Sequence, residues 1–239
     1  MFYYFCDYFH FNNEIINQKT KSIRMKFLPK YIEEYAEQHT NVFESSVLSE
    51  LERRTHVEVM RPHMLSGYMQ GQFLSFLSNM KQPKNILEIG TFTGYSAICL
   101  AQGLLQGGVL HTIDVNEELT DIATRFIEKA GLSHCIVQHQ GDALDIIPSL
   151  KGTKWDIVFL DADKLNYGTY YDMVFDHLNV GGILIADNVL WYGNVAKGSK
   201  EKRAAALTLF NQKVQDDSRV KNLLLPLRDG LMLVEKISG

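Results

Sequence analysis

From residue 84 onward, apolar runs of strand length alternate with amphipathic stretches of helix length. Asn85–Ile89, Val109–Asp114, Cys135–Gln138, Trp155–Leu160 and Gly182–Ala186 read as strands, each a short apolar run bounded by polar or turn residues. Between them 94–105, 117–130, 144–150 and 167–178 carry helical spacing. Strand and helix taking turns in this way predicts a doubly wound, mostly parallel α/β sheet. The end of the chain differs. A helix over 204–214 precedes two strands, 222–225 and 231–237, joined only by Pro226-Leu227-Arg228-Asp229-Gly230. A parallel crossover needs a dozen or more residues, so this link predicts a hairpin, and the sheet is finished by one antiparallel strand.

Upstream, 27–80 is helical in pattern: Ile32, Tyr35 and Ala36 share a face, as do Val47, Leu48 and Leu51, and 71–77 is amphipathic. Pro29 suits a helix start and Pro62 marks a break before His63-Met64-Leu65-Ser66-Gly67. The expected organisation is an N-terminal extension over 1–25 and a single domain over 26–239, with a helical cap at 26–80 and the sheet core at 84–239. The aromatic start Met1-Phe2-Tyr3-Tyr4-Phe5-Cys6-Asp7 has no basic segment and is interrupted by Asp7, so it is not read as a signal peptide. No run approaches the roughly 18 apolar residues of a membrane span. A cytoplasmic location is the expectation.

At 239 residues with a net charge of −4, the chain is large enough for one substantial core and has no general pull toward nucleic acid or anionic membranes. Cys6, Cys99 and Cys135 are odd in number and form no C-x-x-C pair, which points to neither a disulfide framework nor a zinc site. Cys99 falls in an apolar helical stretch and reads as core packing.

Two strands end in oxygen-bearing side chains. Ile157-Val158-Phe159-Leu160 runs into Asp161-Ala162-Asp163-Lys164, and Ile183-Leu184-Ile185-Ala186 into Asp187-Asn188. An acid in this position is equally a cap for the helix that follows. Ligands of open α/β sheets, however, bind beyond the carboxyl ends of the strands. On neighbouring strands, Asp161, Asp187 and Asn188 would form a hard-oxygen set suited to Mg²⁺, Ca²⁺ or Mn²⁺.

The first strand enters Glu88-Ile89-Gly90-Thr91-Phe92-Thr93-Gly94-Tyr95-Ser96, a nucleotide site by position but not a G-x-G-x-x-G loop. Phe92 stands where a dinucleotide site has the glycine that admits a pyrophosphate, which argues against NAD or FAD. S-adenosylmethionine has no phosphates and does not need that approach. Amides after Gly94 are suited to its carboxylate and Glu88 to its ammonium group. Asp114, ending the next strand, is spaced for ribose hydroxyls, and Asp142 with the Ala143 backbone for the adenine end. Singly, Asp114 is also a helix cap and Gly90 and Gly94 turn glycines. In order, at three successive strand ends, they favour an adenosyl site.

These residues resemble a known family. Leu87-Glu88-Ile89-Gly90-Thr91-Phe92-Thr93-Gly94-Tyr95-Ser96, then Phe159 to Tyr167, Ala186 to Gly193 and Leu224 to Leu231, are similar in sequence and order to the cation-dependent O-methyltransferases, which include caffeoyl-CoA and catechol O-methyltransferases. The likeness runs from about Met60 to the end and leaves 1–25 outside. It implies a Rossmann-like class I methyltransferase fold with a seven-stranded sheet, and a homodimer. S-adenosylmethionine would touch Met64, Ser66, Glu88, Gly90, Thr91, Ser96, Asp114, Asp142, Ala143 and Asp161. A divalent cation would be held by Asp161, Asp187 and Asn188, with Lys164 beside Asp161 as general base. Trp191 and Tyr192 would lie near an aromatic substrate.

The implied reaction methylates one hydroxyl of a vicinal dihydroxy aromatic of catechol or caffeoyl type. A phenol with a pKa near 10 is a poor nucleophile at neutral pH, and a coordinating cation lowers that pKa. Lys164, desolvated beside the cation, is expected to have a lowered pKa and to accept the proton. A hydroxylated uridine of tRNA is the alternative acceptor, which the net charge of −4 disfavours. His63, His111, His134 and His139 suggest no metal cluster, and Tyr167, Tyr170 and Tyr171, at helical spacing, read as packing or dimer contacts.

Overall fold

The computed structural model describes residues 29–41, 43 and 45–239; the extension expected over 1–25 and Cys6 lie outside them. Three helices, α1 (Lys30–Gln38), α2 (Ser46–Glu58) and α3 (Tyr68–Lys81), precede β1 (Asn85–Ile89). Then follow α4 (Tyr95–Ala101), β2 (Val109–Asp114), α5 (Thr120–Lys129), β3 (Ile136–Gln140), the single turn α6 (Ala143–Ile146) and β4 (Trp155–Leu160). The chain closes with α7 (Tyr167–Phe175), β5 (Leu178–Asp187), α8 (Lys202–Asp216), β6 (Val220–Leu225) and β7 (Leu231–Lys236). Among the described residues no helix is long and apolar enough to cross a membrane.

The seven strands lie in the order β3-β2-β1-β4-β5-β7-β6. Strands β1 to β5 are parallel, and β7 runs antiparallel to both of its neighbours. This is the sheet with one antiparallel strand that the short Pro226–Gly230 link predicts. The strand order reverses between β1 and β4, which makes the space beyond their carboxyl ends the binding crevice of such a sheet.

Alternation along the central strands feeds two cores. Leu87, Ile89, Val158, Leu160 and Leu184 face α7 and α8, where Tyr167, Tyr171 and Phe210 are buried. Ile86, Ile157, Phe159 and Ile185 face α2, α4 and α5. Burial on both faces explains why these strands read as unbroken apolar runs.

The differences from sequence expectation lie at element ends. Helix α4 stops at Ala101 rather than near Leu105, because the chain at Gly103 crosses α3 so closely that a Cβ there would overlap the Ser78 backbone. Strand β5 begins at Leu178, four residues before the expected Gly182, and α7 is correspondingly shorter. Leu178 already pairs with Trp155, and a register shift with Gly181 in the left-handed region absorbs the irregularity. The helical cap is broken by turns after α1 and around Pro62.

Candidate active site

The β1–α4 turn is shaped by three left-handed residues, Gly90, Phe92 and Gly94, with φ of 106°, 50° and 87°. Gly90 lies against β4 so closely that a Cβ would overlap the Asp161 carbonyl oxygen. The Gly90 amide donates to Ile113 O at 2.9 Å and the Asp161 amide to Ile89 O at 2.8 Å, so the ends of β2, β1 and β4 are tied together. The Asp114 carboxylate accepts from the Phe92 amide at 2.7 Å and the Asn116 amide at 2.9 Å. Behind the turn, Thr112 donates to Glu88 Oε2 at 2.5 Å and is itself 2.5 Å from the Thr91 hydroxyl.

Glu88 is fully buried, and its Oε1 has no hydrogen-bond partner among the described residues. Burial pushes its carboxyl up to about 8, against the pull of the Ser96 and Thr112 hydroxyls, with Asp161 and Asp114 adding to the rise. The sign of the consequence is fixed: between an unfolded value near 4.5 and a folded value of about 8, the folded state binds the extra proton. The ligand-free protein is therefore expected to lose stability as pH rises from about 5 through 8. Urea unfolding at pH 5.5 and 8.5 checks this, and Glu88→Gln should flatten the difference.

At the ends of β4 and β5, Lys164 Nζ donates to Asp161 Oδ1 at 2.9 Å and to the Tyr167 hydroxyl at 2.7 Å. The Tyr167 hydroxyl in turn lies 3.0 Å from the carbonyls of both Leu160 and Asp187. Lys164 is 7% exposed. Burial opposes its charge, but Asp161, Tyr167 and Asp187 outweigh it and hold the ammonium above the usual lysine range. This corrects the expectation of a lowered pKa: desolvation acts in the expected direction, and two carboxylates overcome it. Asp187 is almost fully buried, and burial together with Asp161 raises its carboxyl, while Arg228 and Lys164 act against the rise. Its Oδ2 accepts from Gln70 Nε2 at 2.8 Å and its Oδ1 from the Asn188 amide at 2.7 Å.

One cavity of about 1150 Å³ joins these parts. Met64, Ser66, Gly90, Thr91, Ser96, Asp114, Ala143, Asp161, Lys164, Asp187, Asn188, Trp191 and Tyr192 all line it. Glu88 sits behind the wall. Asp142 is not among the lining residues; its Oδ1 accepts the Leu144 amide at 2.9 Å as the cap of α6, and the wall there is Gly141 and Ala143. Asn188, Trp191 and Tyr192 all have left-handed φ, which turns the loop after β5 back over the cavity. Three further residues escape sequence reasoning. Tyr170, read as packing, lines the cavity and donates to Asp163 at 2.7 Å. Arg228 also lines it, and Gln70 lies between Arg228 and Asp187. Among the described residues no three His, Cys, Asp or Glu side chains group as a metal site; Asp161, Asp187 and Asn188 share the cavity lining.

A family model described as O-methyltransferase matches residues 37–237. The chain belongs to the S-adenosylmethionine-dependent O-methyltransferase family. Caffeoyl-CoA O-methyltransferase 1 of Nicotiana tabacum is 37% identical over 188 residues, covering 73% of this chain and 78% of the tobacco protein. Tricin synthase 2 of Oryza sativa is 34% identical over 186 residues, 73% of this chain and 64% of the rice protein, so the chain spans just under two thirds of that relative. The O-methyltransferase of Bacillus cereus, solved in complex with SAH, superposes with a TM-score of 0.79 at 29% identity, covering 86% of this chain and 97% of that one. TomG of Streptomyces achromogenes, solved with SAM, gives 0.79 at 29% identity over 87% of this chain and 96% of that one. The fold is thus shared with solved methyltransferases that bind SAH or SAM.

Proposed function

We propose that this methyltransferase transfers the methyl group of S-adenosylmethionine to one hydroxyl of a vicinal dihydroxy aromatic of caffeoyl or catechol type, assisted by a divalent cation. The observation that carries the reading is the convergence of Asp161, Asp187 and Asn188, from two adjacent strand ends, on the cavity that Gly90, Thr91 and Asp114 also line. Two carboxylates and an amide are a hard-oxygen donor set without histidine or thiolate, which suits Mg²⁺, Mn²⁺ or Ca²⁺ better than zinc.

When bound, S-adenosylmethionine supplies an electrophilic methyl group, and a divalent cation lowers the pKa of a phenol it coordinates. The chain's own residues do the rest. The unpartnered Glu88 Oε1 is a buried acceptor suited to an ammonium group, and Asp114, anchored by two backbone amides, is suited to vicinal ribose hydroxyls. Met64 and Ser66 close the methionine side, and Trp191 and Tyr192, in edge contact at 5.3 Å, offer an aromatic wall to the acceptor. Lys164 holds its proton at Nζ against Asp161 and Asp187. A cation held by these carboxylates would weaken that hold, and Nζ would then be the atom suited to exchange a proton with the acceptor hydroxyl.

The charged lining is mixed: Glu58, Glu118 and Asp121 stand beside Arg61, Arg125 and Arg203. A mouth of this kind suits a small phenolic better than the tRNA backbone, which calls for a basic surface. The test is turnover of caffeoyl-CoA and catechol with S-adenosylmethionine, with and without EDTA. We expect methylated product that disappears with the chelator and returns with excess Mg²⁺. Full turnover in EDTA would remove the cation from the reading.

A further inference from the structure

The Asp187 carboxylate is aimed by a relay that begins far away in the chain. Arg228, in the turn between β6 and β7, has a left-handed φ of 52°. Its Nη1 donates to Gln70 Oε1 at 2.6 Å and to the Ser66 carbonyl, and its Nη2 to the Leu65 carbonyl at 3.0 Å. Gln70, on α3 and fully buried, passes the connection on through Nε2 to Asp187 Oδ2 at 2.8 Å. The orientation of the Gln70 amide is dictated by chemistry. A guanidinium has only donors and a carboxylate only acceptors, so the amide oxygen must face Arg228 and its nitrogen Asp187.

An amide in this place has a specific consequence. If Arg228 bound Asp187 directly, the bidentate pair would be strong and would neutralise the carboxylate. The interposed neutral amide transmits position while leaving the negative charge available to an ion. We propose that Gln70 is a positioning residue for cation binding, held by Arg228, so that docking of the Leu65–Ser66 segment on the hairpin and the aim of Asp187 are one event. This inference rests on the reading of Asp187 as a cation ligand.

The experiment measures Mn²⁺ binding to the full chain, without cofactor or acceptor, from the EPR signal of free Mn²⁺. Loss of a hydrogen bond that orients a metal ligand typically weakens metal affinity by ~10- to 100-fold, so Gln70→Met should raise the Kd by at least ~10-fold. Arg228→Met should do the same, and the double variant should be no worse than the weaker single one, because both act through one chain of contacts. Arg228→Lys keeps the charge but loses the fork, and it carries the test if Gln70→Met does not fold; its Kd should also rise. Far-UV circular dichroism reports folding independently for every variant, and SAH affinity does so for Gln70→Met. A folded Gln70→Met with wild-type Mn²⁺ affinity, or losses that multiply in the double variant, would overturn the relay alone. Wild-type protein that binds no Mn²⁺ would overturn the cation reading, and the relay with it.

Discussion

Asp187→Ala is expected to lower kcat/KM by ~10³-fold or more, since losing one ligand forfeits several kcal/mol of stabilisation at the reacting oxygen and each 1.4 kcal/mol is tenfold. Of the two carboxylates, Asp187 gives the cleaner test. Asp161 also pairs with Lys164 and abuts Gly90, so its removal disturbs the cofactor turn as well. Asp187 faces Gln70 and the Asn188 amide, both outside that turn. The variant relieves a buried carboxyl whose charge is already disfavoured, and leaves Gln70 Nε2 without its acceptor, a cost of ~1–3 kcal/mol. The protein should therefore fold and bind SAH within about a factor of two of wild type, as calorimetry can measure, while turnover is lost. Activity within tenfold of wild type would mean that Asp187 holds no ion in the reaction.

The largest loss of stability should come from Gly90→Ala. A residue with a side chain costs ~1–2 kcal/mol in left-handed backbone, and here the new Cβ would also overlap the Asp161 carbonyl oxygen, a backbone atom with no freedom to swing away. The two together should reach ~3–4 kcal/mol. For a domain of this size that corresponds to a Tm lower by about 10 °C. Gly131→Ala is the control: its φ of 73° is also left-handed, but nothing lies within 4 Å of the added methyl. It should cost only the backbone term of ~1–2 kcal/mol, or about 2–8 °C. Equal shifts in the two variants would show that β1 and β4 can part to admit the methyl.

The contrast between these glycines illustrates what the sequence could and could not reveal. Strand positions were legible because burial on both faces leaves apolar runs that end where the sheet ends. The positions of Asp161 and Asp187 follow from that same rule. The turn of Gly90 and Gly94 was legible as a turn, but the closeness of β4 to Gly90 was not, since it depends on a pairing between distant segments. Arg228 and Gln70 are 158 residues apart; in the sequence one belongs to a hairpin link and the other to an ordinary amphipathic helix. Lys164 was correctly seen as desolvated, but its net pKa direction needs the distances to Asp161 and Tyr167. Asp142 caps α6 through Oδ1, a use of its side chain that its reading as an adenine-end acid did not include.

The turn between β6 and β7 holds both lips of the cavity. Arg228 grips the Leu65 and Ser66 carbonyls on one side. On the other, Asp229 accepts the Tyr192 amide at 2.6 Å, and Gly230 packs against Leu190 too closely for any side chain. A nascent chain that has emerged from the ribosome only through Tyr192 thus carries all of the proposed ion ligands and the whole cofactor turn, yet neither lip is fastened. Binding competence arrives late in synthesis, with the last hairpin, and a protease cut in that turn would release both lips while leaving the parallel strands paired.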